Sequence, residues 1–435
     1  MNPEKQKHLN IITLGCSKNL VDSEKIAGKL IPGQFKITHN AKGLSDVVII
    51  NTCGFIHDAK EESVDTILHY LEGKKRGLVD QVIVTGCLAE RYKEELQKEI
   101  PETDAWFGVH NANEIFSFLR AKYNPDDHLR HLSTPDHYAY LKISEGCDRT
   151  CSFCAIPLIR GKYHSQSVSK ITKEANLLAK TGVKELMLIA QDLSYYGYDL
   201  RKKGLLVELL NRLLTIEQLK WIRLHYAYPD HFPMQILDIM NQTDRVCRYL
   251  DMPLQHISDS ILKAMRRGAT AKEIYKLIDT IRTKVPDIAL RSTLMVGFPG
   301  ETKQLFDELL KFVREVQFDR LGVFTYSAEQ GTRAYSMKET VSEQEKQDRA
   351  DQIMEEQQNI SLELNQKKIG LTMKVLIDEK YNNYYHGRTQ YDSPEVDNEV
   401  LIPADKFDLT PGMFYKARIL SASEFDLYAD ITESC

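Results

Sequence analysis

The chain has 435 residues, 42% hydrophobic and 27% charged, with a net charge of −5. That length predicts two or three domains of about 150 residues each, and the balance excludes a disordered or fibrous protein. The polar start MNPEKQKHLN and the absence of any apolar run of about eighteen residues predict neither a secretory leader nor a membrane span. A cytoplasmic protein is therefore expected, and in that reducing compartment eight cysteines point to metal binding or catalysis rather than disulfides.

In residues 1–123 short apolar runs alternate with helical stretches. Strands are predicted at Ile11–Leu14, Val47–Ile50 and Val82–Thr85, with weaker ones near Phe35–Thr38 and Ala105–Phe107. Helices are predicted over Asn19–Ile31, Asp58–Glu72, Ala89–Lys98 and Asn113–Arg120. Such alternation predicts an open, mostly parallel sheet covered by helices. Cys16, Cys53 and Cys87 each stand just past an apolar strand, in IITLGC, VVIINTC and VIVTGC. Sites in open α/β sheets lie outside the carboxyl ends of the strands, so three strand ends on one edge can gather these thiols. A single cysteine after a strand is ordinary packing; three in equivalent places favour a metal site.

Residues 124–137 are polar with two prolines and read as a linker or the entry to a hairpin. A second series, 138–335, has strand candidates at Ala139–Ser144, Glu185–Ala190, Trp221–Tyr226, Arg248–Met252, Ala289–Val296 and Leu321–Tyr326. Six strands with intervening helices predict an incomplete barrel rather than a closed eight-stranded one. Within residues 336–370, Glu339–Lys368 is charge-rich, lacks Pro and Gly, and reads as a long connecting helix. Residues 371–435 carry short alternating runs such as Lys374–Ile377 and Tyr415–Ile419, which predict a small β-barrel of about five strands.

Early in the second series the run EGCDRTCSFCAIP places Cys147, Cys151 and Cys154 within eight positions. Soft thiolates select zinc, copper(I) or iron–sulfur clusters. Two readings fit three thiols. One is a zinc loop whose fourth ligand is His137, His164 or a distant residue. The other is a cubane cluster of four irons with one iron left open for a cofactor or substrate. Phe153, Ile156 and Pro157 beside the loop either exclude water or simply join the core. Cys247 reads as core packing and Cys435 as a free terminal thiol; neither is assigned a role.

With both triads in view, the chain resembles the radical S-adenosylmethionine methylthiotransferases over nearly its full length. The resemblance rests on the spaced Cys16, Cys53 and Cys87, on CDRTCSFC with its Cys-x3-Cys-x2-Cys spacing, and on the C-terminal β module. It implies an α/β N-terminal domain, a partial (β/α)6 radical barrel and a terminal β-barrel known as TRAM. It implies two [4Fe–4S] clusters. Cys147, Cys151 and Cys154 would bind one, whose open iron chelates S-adenosylmethionine and yields a 5′-deoxyadenosyl radical. Cys16, Cys53 and Cys87 would bind an auxiliary cluster carrying the sulfur to be donated, while a second S-adenosylmethionine gives the methyl group. Cofactor-binding residues are expected at the carboxyl ends of barrel strands: Gln191 and Asp192, Gln255 beside His256, and Gly297, Gly300 and Glu301, the last group resembling the family's glycine-containing segment beside the adenosine. Arg291 either pairs with the cofactor carboxylate or with a neighbouring acid.

Members of the family modify an adenosine in transfer RNA or an aspartate in a ribosomal protein. Residues 371–435 hold six Lys/Arg against twelve Asp/Glu, a net of −6, leaving +1 for positions 1–370. An RNA-binding module presents cations to phosphates, whereas an acidic one attracts a basic protein. LGCSKNLVDSE, NTCGFIHDAKEES and PLQHISD also resemble the ribosomal-protein branch. The resemblance thus implies methylthiolation at the β-carbon of an aspartate in small-subunit protein twelve. Expected partners are that basic protein or the small subunit, a reductant such as flavodoxin or ferredoxin, and a sulfur carrier, with the enzyme a monomer. The alternatives are a tRNA adenosine methylthiotransferase and a non-catalytic iron–sulfur or zinc protein.

Overall fold

A computed structural model describes residues 6–43, 45–126 and 128–434; Cys435 lies outside them. The first sheet has five parallel strands in the spatial order Phe35–His39, Lys7–Thr13, Val47–Thr52, Gln81–Gly86, Ala105–Trp106. Val47–Thr52 is buried at all six positions because helices cover both faces. Val48 and Ile50 pack against Ile67 and Leu71, while Ile49 packs with Ile26 and Phe116, each such side chain contributing about 1.5–3 kcal/mol. The chain winds outward one way from Lys7–Thr13 and then the other way from Val47–Thr52. The crevice opened by that reversal is where open α/β sheets bind ligands.

Helices here begin earlier than their apolar periodicity predicts. Ser17–Lys29 has Cys16 as its N-cap, and Cys87 is itself the first residue of Cys87–Glu99. At Ser17 a polar first turn hides the start from a hydrophobic pattern; Cys87-Leu88-Ala89 is apolar but continues directly from the strand Gln81–Gly86, so the boundary is masked.

The second sheet runs Arg320–Thr325, Ala289–Val296, Val246–Asp251, Trp221–Leu224, Glu185–Ile189, Tyr138–Lys142, parallel throughout and open between its ends. One face packs on helices, with Leu186, Leu224, Leu250 and Leu290 in a common core with Leu209, Ile278 and Phe312. The other face lines a lumen. Val21 of Ser17–Lys29 packs into it on Tyr138, Tyr140, Met187 and Ile189, which seats the first domain on the barrel mouth.

The opposite end of the lumen is plugged by a closed barrel of Thr372–Tyr381, Tyr384–Arg388, Glu399–Pro403, Asp426–Ser434 and Phe414–Ala422. Its Leu376 and Phe414 meet Trp221, Cys247, Tyr249 and Ala289, so Cys247 is core. Glu343–Gln366 packs Ile353 and Ile360 on the second sheet's helical layer and ties Ser361 and Asn365 to the backbone of Glu424. The segment 388–398 enters the lumen, where Asp392 pairs with Arg320, Asp397 with Arg291 at 3.3 Å, and Ser393 bonds His225 at 3.1 Å. Asp378 likewise meets Arg388 at 2.6 Å and His137 at 2.8 Å. Three of the twelve acids counted in this module, with Arg388, are therefore neutralised internally, and its outward charge is less acidic than composition implies.

Candidate active site

The first triad is built where three strand-end loops touch. A Cβ on Gly15 would lie 2.8 Å from Cys53 Sγ, and one on Gly54 would lie 2.7 Å from Leu88 Cα, next to Cys87. The loops of Cys16, Cys53 and Cys87 therefore press on one another at the crevice. Cys16 is exposed, Cys53 half-buried and Cys87 buried. Ser63 clasps the Cys53 backbone, accepting from its N–H at 3.1 Å and donating to its carbonyl at 2.9 Å. Burial pushes the Cys87 thiol up to about 12, against the pull of the Arg160 guanidinium. The helix start at Cys87 favours negative charge there. Gly54→Ala should drive a methyl into the Leu88 backbone, costing about 1–3 kcal/mol; a lowered urea midpoint checks this.

The second triad lies on the loop leading into the short helix Ile156–Arg160. Its backbone is pinned by Cys147 N–H to Gly161 O at 3.1 Å and Ser152 N–H to Met265 O at 3.0 Å. Arg149, between the first two cysteines, reaches Asp192 at 2.8 Å and Asp230 at 3.1 Å. Its guanidinium lies 4.0 Å from the Tyr228 ring, as does that of Arg267. Arg267 donates to Cys151 Sγ at 3.7 Å, and Tyr228 Oη is 3.9 Å from the same sulfur. Burial raises the Cys147 and Cys154 thiols to about 12.

The triads share a wall. Cys87 packs with Ala155 and Ile159, immediately past Cys154. Arg160, closing that helix, donates to Cys87 Sγ at 3.6 Å, to Asn19 Oδ1, and to Asp22 at 2.6 Å. Lys142 and Glu145 complete the cluster. Burial alone would raise the Asp22 carboxyl, but Lys142 and Arg160 hold it down to about 2. On the far side Arg91 bonds Gly54 O at 3.1 Å and Glu329 at 2.9 Å.

The other predicted residues divide. Asp192 is drawn to the Cys147 loop by Arg149, with Oδ1 buried and unbonded among the described residues; Gln191 Oε1 is likewise unbonded, while its amide donates to Glu145 at 3.3 Å. Gln255 sits at the end of Val246–Asp251 with φ +73° and bonds strand 289–296 through its backbone. Gly297 (φ +74°) and Gly300 (φ +93°) form the turn after Ala289–Val296, whose Phe298 shares an apolar cluster with Phe153. Glu301 is buried beneath that turn, paired with Arg349 and 3.4 Å from His256. Arg291 lies deeper in the lumen, 3.2 Å from Asp251. Ile156 and Pro157 are half-buried at the start of the short helix.

Residues 8–108 match the family described as "Uncharacterized protein family UPF0004", 141–313 the "Radical SAM superfamily" and 369–432 the "TRAM domain". Curated relatives carry the name "Ribosomal protein uS12 methylthiotransferase RimO". That of Flavobacterium psychrophilum is 53% identical over 427 residues, covering 98% of each chain. That of Christiangramia forsetii is 52% identical over 427 residues, covering 98% of this chain and 94% of its own. The chain belongs to the radical S-adenosylmethionine methylthiotransferases. Among solved structures, the radical S-adenosylmethionine methyltransferase TsrM from Kitasatospora setae superposes with a TM-score of 0.54 at 12% identity, covering 94% of this chain and 84% of that chain; the likeness is one of fold.

In a methylthiotransferase these donor sets have a plain reading. Seven cysteines are free among the described residues, six of them in the two triads. No three His, Cys, Asp or Glu side chains among the described residues close on a single metal ion. His137 meets Asp378 at 2.8 Å and His164 is exposed. Three-thiol sites flanked by Arg160 and Arg267 fit an anionic iron–sulfur cluster, whose potential rises with hydrogen bonds to sulfur. Arg160, Arg267, Tyr228 and Asn19 were not singled out from sequence. Arg149 alone had a signal, as a cation between clustered cysteines.

Proposed function

We propose that this chain methylthiolates the β-carbon of an aspartate in ribosomal protein uS12, consuming two S-adenosylmethionine molecules and an external sulfur donor. What supports the reading most is the shared wall between the triads, joined to the relatives' name. Cys147, Cys151 and Cys154 would hold one [4Fe–4S] cluster, and Cys16, Cys53 and Cys87 a second. Bound there, the clusters and S-adenosylmethionine supply the radical that takes a hydrogen from unactivated carbon and the sulfur that replaces it. The chain's own residues place and shield. Arg149 holds Asp192 at the cofactor loop, with Gln191 beside it offering an open carbonyl. Gln255, Gly297 and Gly300 supply backbone at neighbouring strand ends, while Glu301 and Arg291 brace that rim through Arg349 and Asp251.

In this reading residues 1–123 carry the sulfur-donating site, 124–137 link, 138–335 generate the radical, and 336–370 lead to the 371–435 module that receives the basic protein. A ribosomal substrate places the reaction in the cytoplasm with a reductant and a sulfur carrier as partners, the enzyme acting as a monomer; no helix among the described residues is long and apolar enough to cross a membrane. The test is anaerobic incubation of reconstituted enzyme, S-adenosylmethionine, reductant and sulfide with purified uS12 or bulk tRNA, read by mass spectrometry. Methylthiolated aspartate is the expected product. Modified adenosine with unmodified uS12 would reverse the substrate.

A further inference from the structure

Lys18 is the second residue of Ser17–Lys29, two positions past Cys16, and is 8% exposed. Its ammonium lies 2.9 Å from the centroid of the Tyr226 ring. Among the described residues no carboxylate, carbonyl or hydroxyl accepts from it. The side chain is largely buried, its charge faces a ring rather than a carboxylate, and a cation in the first turn opposes the helix dipole. The ring face attracts the ammonium but brings no negative charge to pair with it.

The other cations pressed into this interface are treated differently. Lys25 has Glu174, Arg130 has Glu24 and Glu174, Lys142 and Arg160 have Asp22, and Arg91 has Glu329. The groups facing Lys18 from the barrel do not compensate it. His225 is kept neutral by burial and by Arg223, Arg291 and Lys18. Asp251 is taken by Arg291 and by the Tyr226 N–H at 3.2 Å.

Tyr226 itself adopts φ +63°, a left-handed conformation that a bulky side chain holds only under constraint and that clusters at functional sites. It ends the strand Trp221–Leu224 together with Tyr228, which lies against Cys151. The segment 226–228 thus runs from the Cys16 helix to the Cys147 loop, along the space a substrate occupies if both triads act on it.

We propose that Lys18 binds the carboxylate of the side chain being modified, with Tyr226 as its platform. The proposal rests on the methylthiolation reading above and names the residue that selects its substrate class. A substrate carboxylate would pair with the ammonium and fix the adjacent carbon between the triads. A neutral nucleobase leaves the ammonium unpaired, which discriminates against it.

The test measures binding of uS12, and of uS12 with its target aspartate changed to asparagine, to reconstituted enzyme with S-adenosylmethionine and no reductant. Unaltered enzyme should bind the aspartate form about tenfold or more tightly than the asparagine form, the scale of one hydrogen bond to a charged group. Lys18→Met should erase that preference while keeping its affinity for the asparagine form, which shows a folded site; Lys18→Arg should restore most of it. A preference unchanged in Lys18→Met overturns the proposal. So does an equal loss of both affinities in Lys18→Met, the mark of a structural residue. If unaltered enzyme modifies tRNA and not uS12, the underlying reading fails; if it modifies uS12 and Lys18→Met still discriminates, only the role of Lys18 fails.

Discussion

Replacing Cys16, Cys53 and Cys87 together by alanine should halve the iron of the reconstituted protein, from about eight atoms per chain to about four. Reductive cleavage of S-adenosylmethionine should persist, and sulfur insertion should vanish. The physical basis is that the two thiol sets sit on different elements: strand-end loops of the first domain, and the 147–154 loop held by Gly161 and Met265. Cys87 touches Ala155 only through packing, so losing its sulfur leaves the other loop's backbone bonds in place. The reciprocal triple change at Cys147, Cys151 and Cys154 should abolish cleavage and insertion alike. Iron analysis and chromatography of 5′-deoxyadenosine read both. Methylthiolation surviving in the first variant would refute the assignment of the sulfur-donating site.

The second large effect concerns the plug beneath the lumen. Glu185 is fully buried between Arg223 at 2.8 Å and Arg388 at 2.9 Å, both themselves buried. Arg388 also holds Asp378, whereas Arg223 otherwise meets the carbonyls of Thr389 and Gln390 and the rings of Tyr249 and Trp221, none of them charged. Glu185→Gln removes the one negative charge that both guanidiniums share, and breaking a buried pair in this way costs about 3–5 kcal/mol. Denaturant unfolding should show a much lower midpoint. Burial would raise the Glu185 carboxyl, yet Arg388 and Arg223 outweigh it and hold it below the usual value. A carboxyl depressed in the fold contributes fully above its unfolded pKa and loses that contribution as pH falls through the folded value. The barrel-to-plug contact should therefore loosen in acid, and Glu185→Gln should flatten that part of the pH dependence.

Much of the architecture was legible in the chain. Strands Val47–Thr52, Glu185–Ile189 and Ala289–Val296 announce themselves as apolar runs bounded by turn residues, and six of the cysteines by their places after strands or within one loop. Helix starts were less legible: Ser17 opens a helix with a polar first turn, and Cys87 opens one whose apolar first residues run straight on from a buried strand. The charge of the C-terminal module shows a different limit. Its twelve acids were counted correctly, yet Asp378, Asp392 and Asp397 meet Arg388, Arg320 and Arg291 inside the assembled fold. Composition records how many charges exist, and only folding decides which of them face a partner.

The candidate site divides along the same line. Thiol type and spacing, the alternation of strand and helix, and the three-part order of the chain are local properties, set by side-chain chemistry and backbone periodicity within a few residues. They sufficed to indicate two three-thiol sites. That the triads share a wall, that Arg160 spans from Asp22 to Cys87, and that Lys18 meets the Tyr226 ring where Lys25, Lys142 and Arg160 meet carboxylates depend on residues far apart in sequence. Pairing and burial are properties of the whole packed interface, so no local pattern encodes them.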